Sequence, residues 1–152
     1  MTVSSNRIVA VVFCLLLSEA AGCGSSGLPM IPIHGQVTYK GAPLTNVTQG
    51  IVRYSPKQSG TPAREATGRI QPDGSFVLTT LSKADGVVFG DYDIIVSAYS
   101  APSLTREQTE SGVRHANPKL MIPEKYLKAN TSGLSDTVQA RHSGFKKIEL
   151  TE

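Results

Sequence analysis

The chain of 152 residues has no tryptophan and only two cysteines, Cys14 and Cys23, and its only large aromatics are five Tyr and four Phe. Without Trp, the broadest flat apolar face used to stack ligands is absent. Cys14 lies inside an apolar stretch near the start, so any chain processed beyond that stretch keeps one thiol and forms no internal disulfide. Long apolar runs are also missing. The longest, residues 8–17, meets Ser18 and Glu19 well short of the ~20 residues that span a bilayer as a helix. No apolar pattern at helical spacing persists over a dozen residues, which excludes a helical bundle. Lys and Arg number 15 against 12 Asp and Glu, a net charge of +3, and Lys146-Lys147 is the one adjacent basic pair. A nucleic-acid backbone needs clustered cations, so no nucleic-acid partner is expected.

Catalytic signatures are equally scarce. The sequence has no G-x-S-x-G elbow and no glycine-rich phosphate loop between a strand and a helix. His34, His115 and His142 stand far apart without carboxylate or cysteine company, so no metal ligation is expected of them. Asp85, Asp91 and Asp93 cluster in sequence but lack the D-x-D-x-D-G spacing of a calcium loop, and turn solvation or edge protection accounts for them. The expectation is a non-enzyme with no cofactor and no metal.

What is present begins with an address. Arg7, the apolar run 8–17 and the small residues Ala20-Ala21-Gly22 have the order of an export signal. The run Ala20-Ala21-Gly22-Cys23 resembles the lipobox of bacterial lipoproteins. That resemblance implies cleavage between Gly22 and Cys23, lipid attachment (diacylglycerol, palmitate-type acyl chains) at the Cys23 thiol, and a protein held on a membrane outside the cytoplasm. Two or more acyl chains hold stably where one is marginal, at about 0.8 kcal/mol per buried methylene. Ser18 and Ala20 also fit ordinary secretory cleavage, which would leave Cys23 as a free thiol. Gly24 in place of an Asp leans the location toward the outer membrane.

Residues 23–32 read as a flexible tether, small and polar at Gly24-Ser25-Ser26-Gly27 and proline-bearing at Pro29 and Pro32. From 33 to 152 one domain is expected, punctuated at short intervals by Gly, Pro, Asn and Asp, with strands at 33–39, 50–54, 66–70, 75–80, 92–99, 137–141 and 145–150. Lys40-Gly41-Ala42-Pro43 reads as a turn, and Pro72-Asp73-Gly74 as the turn of a hairpin. Along 92–99, Tyr92, Ile94, Val96 and Ala98 share one face, as in a central strand. His142-Ser143-Gly144 suggests a closing hairpin between the last two strands. The expected fold is all-β, a seven-stranded Greek-key sandwich.

Three segments carry a further resemblance: Ile33-His34-Gly35-Gln36-Val37 through Lys40-Gly41-Ala42-Pro43-Leu44, then Gly68-Arg69-Ile70-Gln71-Pro72-Asp73-Gly74-Ser75-Phe76, then Gly90-Asp91-Tyr92-Asp93-Ile94-Ile95-Val96. In content and order they resemble the carboxypeptidase regulatory-like, or transthyretin-like (prealbumin-like), β-sandwich domains. With the lipobox and the stretch Ile122-Pro123-Glu124-Lys125-Tyr126, the whole is similar to small lipoproteins encoded by planctomycete bacteria. The resemblance implies a fold and a compartment, and that fold hosts many unrelated functions.

Residues 100–133 are longer than an ordinary sandwich connection and carry mixed charge. Arg106, Arg114, Lys119 and Tyr126 are its candidate binding residues, while Met121, Ile122, Tyr126 and Leu127 could dock part of it on the sandwich. Two functions are expected to compete. One is a structural or protein-interaction module of the cell envelope, anchored to the membrane. The other is a glycan-binding surface module using Tyr54, Tyr99 and Tyr126 as sugar platforms.

Overall fold

The structure, a computed structural model, describes residues 28–59, 62–101, 110–111, 118–141 and 144–152. It is all-β and sandwich-like. Among the described residues ten strands run in chain order: β1 (Met30–Ile31), β2 (His34–Tyr39), β3 (Ala42–Pro43), β4 (Gln49–Pro56), β5 (Ala66–Arg69), β6 (Ser75–Val77), β7 (Val87–Val88), β8 (Gly90–Tyr99), β9 (Ser135–Val138) and β10 (Phe145–Leu150). A 3-10 turn at Glu124–Leu127 and the one-turn helix α1 (Ala129–Ser132) interrupt them.

One sheet has the order β5-β4-β8-β9 with every pair antiparallel. In the other, β2 pairs with β10 in parallel along one edge and with β6 and β3 antiparallel along the other. The short ribbon β1-β7 stands between them, each of its strands leading directly into a sheet. Period-2 alternation aims Val52, Tyr54, Tyr92, Ile94, Val96 and Ala98 inward from the first sheet. Val37, Phe76, Ile148 and Leu150 meet them from the second.

Local turn chemistry explains the corners. Lys40 (φ 52°) and Gly41 (φ 81°) form the two-residue link of β2 to β3, where both φ angles must be positive to match the strand twist. At the next corner the Gly74 N–H donates to Gln71 O and the Gln71 N–H to Ser75 O, closing a turn with Pro72 leading and Gly74 at φ 84°. Asp73 locks it by accepting from the Ser75 hydroxyl (2.7 Å) and N–H (2.9 Å), bonds that hold its carboxyl below the usual range.

Three expectations need correction. The last two strands form no hairpin: β9 ends at Val138 and joins β8, while β10 runs parallel to β2 in the opposite sheet. Asp136 and Val138 on one strand, and Lys146, Ile148 and Leu150 on the other, face the core from opposite sides, so a tight antiparallel pair would leave one sheet edge bare. His142 and Ser143 of the expected turn lie outside the described residues. The hairpin around Pro72-Asp73-Gly74 does form, yet its arms belong to different sheets, paired to each other only near Thr67–Thr79 and at the turn. Finally, packed structure starts ahead of Ile33, because Met30 and Ile31 pair with Val88 and Val87.

Two ends follow from this topology. The chain comes in at β1 beside the loop 78–86 and the start of β10: the His34 N–H donates to Gly144 O, and a Cβ on Gly86 would lie 2.0 Å from Ile31 O. This is the proximal end. The turns at Lys40-Gly41 and Pro72-Gly74, the end of β8 and the end of β10 make up the far end.

Candidate functional site

The sequence-derived site scatters. Cys23, Gly22, Arg106 and Arg114 lie outside the described residues, as do His115 and His142. Lys119 is exposed at the far end, and its carbonyl accepts from the Ser100 N–H while Leu120 bridges to Tyr99 and the Met121 N–H donates to Ala98 O. This return covers the part of β8's edge that β9 leaves open, which is why Ile122 is buried.

Tyr126 is a core residue, as expected of a side chain that docks the segment on the sandwich, which corrects its assignment as a binding residue. Its hydroxyl donates to Thr151 O (3.1 Å) and accepts from the Thr151 N–H (2.8 Å), tying the 3-10 turn to the end of β10. Burial acts to raise this phenol, but the bonds from Thr151 and the nearby Lys125 ammonium outweigh it and bring its pKa below the ordinary tyrosine value. Tyr54 is also fully buried. Of the three tyrosines considered as sugar platforms, only Tyr99 keeps part of its ring at the surface.

The aspartates do not converge either. Asp91 accepts from the Thr137 hydroxyl, and Asp93 lies 3.6 Å from the Lys57 ammonium. Asp85 folds onto its own loop, accepting backbone N–H bonds from Thr80 (2.7 Å), Leu81 (2.8 Å) and Ser82 (2.6 Å). Partial burial acts to raise its pKa, and the three N–H donors overcome that and lower it. A folded-state pKa below the unfolded one adds stability that is present above the unfolded value and lost as pH falls through the folded value. In urea titrations, Asp85→Asn is therefore expected to unfold earlier than wild type at neutral pH, with the difference closing as the pH drops through the carboxylate range. A gap that stays constant with pH would refute this account. Among the described residues, no group of three His, Cys, Asp or Glu could hold a metal ion. His34 stands exposed on the outer sheet face with its ring edge-on to Phe145, centroids 5.8 Å apart.

One polar cluster escaped the sequence reading. Asp136 on β9 accepts from Lys146 Nζ on β10 (2.8 Å) and from the Tyr54 hydroxyl (3.3 Å), and the two charged side chains are only 13% and 20% exposed. Burial, and then the Asp136 charge, push the Tyr54 phenol far above its usual value, so it remains a donor. The signal was there: Asp136 is in phase with buried Val138, and Lys146 with buried Ile148 and Leu150. A charge on the inward phase of a strand end needs a partner across the core. The pair spans the two sheets at their open edge, a structural role.

Two open hollows flank the split hairpin. A groove of about 470 Å³ runs along the seam between β5 and β6, lined by Thr67, Arg69, Gln71, Ser75, Thr79 and Lys83. A second, of about 670 Å³, lies at the far end among Asn46, Thr48, Arg69, Gln71 and Pro72. Cations and hydroxyls at these rims suit a polar or anionic group, but the one aromatic ring in the walls, Phe76, is buried in the core. Family models, curated proteins and solved structures were all compared with the chain, and none matches it.

Proposed function

We propose that this chain is an exported bacterial lipoprotein whose β-sandwich serves as a non-catalytic structural or protein-interaction module of the cell envelope. Residues 1–22 act as the leader, and Cys23 carries the acyl chains. The longer strands are read as a seven-stranded Greek-key sandwich of the carboxypeptidase regulatory-like, prealbumin-like type. The single observation that carries the reading is the order Arg7, apolar run 8–17, Ala20-Ala21-Gly22-Cys23. Support comes from the described chain, where the interior pair Asp136 and Lys146 is absorbed into a contact between the two sheets. Gly24 favours the outer membrane.

A glycan-binding surface is the second reading, favoured by a shallow hollow of about 260 Å³ where Tyr99 meets Arg53, Ser97 and Ile95 on the outer face of the first sheet.

Mass spectrometry of the full chain, produced with its own leader and purified from membranes, tests the anchor. The expected species starts at Cys23 and bears the mass of a diacylglycerol group with or without a third acyl chain. A species that retains residues upstream of Cys23, or that has a free Cys23 thiol, would end the proposal.

A further inference from the structure

We propose that the proximal end of the sandwich docks directly on the lipid bilayer, with Val77, Leu81 and Phe145 seated among the lipid headgroups. The inference rests on the lipid anchor at Cys23. Four residues separate Cys23 from Leu28, the first described position, and the five residue-to-residue steps between them reach at most about 18 Å even when fully extended. With the acyl chains in the membrane, the end that receives β1 is therefore held at the bilayer surface, and the far end points away.

The surface at that end suits the location. Among the described residues four large apolar side chains are exposed, and three of them, Leu81 (64%), Phe145 (55%) and Val77 (49%), belong to it. Sheet register places Phe145 beside His34 and His34 beside Val77, a continuous row across β10, β2 and β6 on the outer face. Leu81 projects from the neighbouring loop, which packs on Ile31 through Gly86 and is braced by Asp85. Exposed Lys83 follows two residues after Leu81, and exposed Arg141 lies just beyond β9. Apolar tips with cations beside them match an interface of acyl chains below phosphate groups. Among the described residues the far end offers no comparable set: its exposed turn residues Gly41, Thr45, Pro72 and Asp73 are small or polar.

The test uses the full lipidated chain, in which acylation leaves no other thiol in the mature protein, so a fluorophore attaches only to an introduced cysteine. Leu81→Cys reports the proximal end and Thr45→Cys the far end, both at exposed loop positions. Each is reconstituted into phosphatidylethanolamine–phosphatidylglycerol vesicles carrying a lipid-borne nitroxide quencher near the headgroup. Quenching at position 81 is expected to exceed that at 45 several-fold, and to fall when Val77 and Phe145 are both replaced by Ser. Equal, weak quenching at both positions in protein with confirmed lipid mass would overturn the docking and leave the anchor standing. So would a label at 81 that is shielded from water yet unquenched, since it would place a second copy of the chain there. Absence of lipid mass at Cys23 removes the anchor itself, and the docking with it.

Discussion

Gly35→Ala is expected to leave the chain largely unfolded at physiological temperature. Gly35 sits on β2 between β10 and β6, opposite Lys146 on one side and Phe76 on the other. A Cβ there would lie 1.9 Å from Lys146 O and 2.8 Å from the tip of the Phe76 ring. The nearer atom is backbone, and it cannot withdraw alone because β10 is held to β2 by a six-residue parallel register. Relief requires moving a whole strand away from the core. A cost at or above about 4–5 kcal/mol, the extreme of single substitutions, is comparable to the entire stability of a small domain. Far-ultraviolet circular dichroism and urea unfolding check it. A cooperative transition with a midpoint near wild type would show that the sheet yields where it is taken to be rigid.

Phe76→Ala is expected to destabilise by about 3–5 kcal/mol, the range for deleting a buried aromatic ring from a packed core. The ring is fully buried and fills the space under Gly35 between the two sheets. Because the two sites touch, the double variant separates two clashes. Removing the ring relieves only the 2.8 Å contact, while the 1.9 Å contact with Lys146 O remains. Phe76→Ala should therefore fail to rescue Gly35→Ala. Recovery of a folded double variant would mean that the ring, not the strand backbone, sets the space at residue 35.

Legibility in the sequence tracks how local each feature is. The 92–99 alternation was plain because Tyr92, Ile94, Val96 and Ala98 occupy successive inward positions on one strand, and they are buried as expected. The turns at Lys40-Gly41 and Pro72-Asp73-Gly74 were legible because Gly41 and Gly74 supply positive φ angles that other residues resist. His142-Ser143-Gly144 misled for the same reason, since a short Gly-containing link between two strands is a hairpin signal only if those strands share a sheet. Tyr126 misled because a tyrosine among charged residues looks like a surface ring until Thr151, 25 residues onward, is seen to satisfy its hydroxyl. The Asp136–Lys146 pair could have been suspected from phase alone, but its link to Tyr54 joins residues 82 positions apart.

From the order of amino acids alone came the all-β class, most strand positions, the shared face of Tyr92, Ile94, Val96 and Ala98 and the chemistry of two corners, because alternation and backbone dihedral preference are settled within a few residues. Only the tertiary structure decided sheet membership: β10 parallel to β2, β9 on the edge of β8, and the two arms of one hairpin on opposite walls. Partner choice depends on closing both sheet edges and filling one shared interior at once, and no short window of sequence contains that condition.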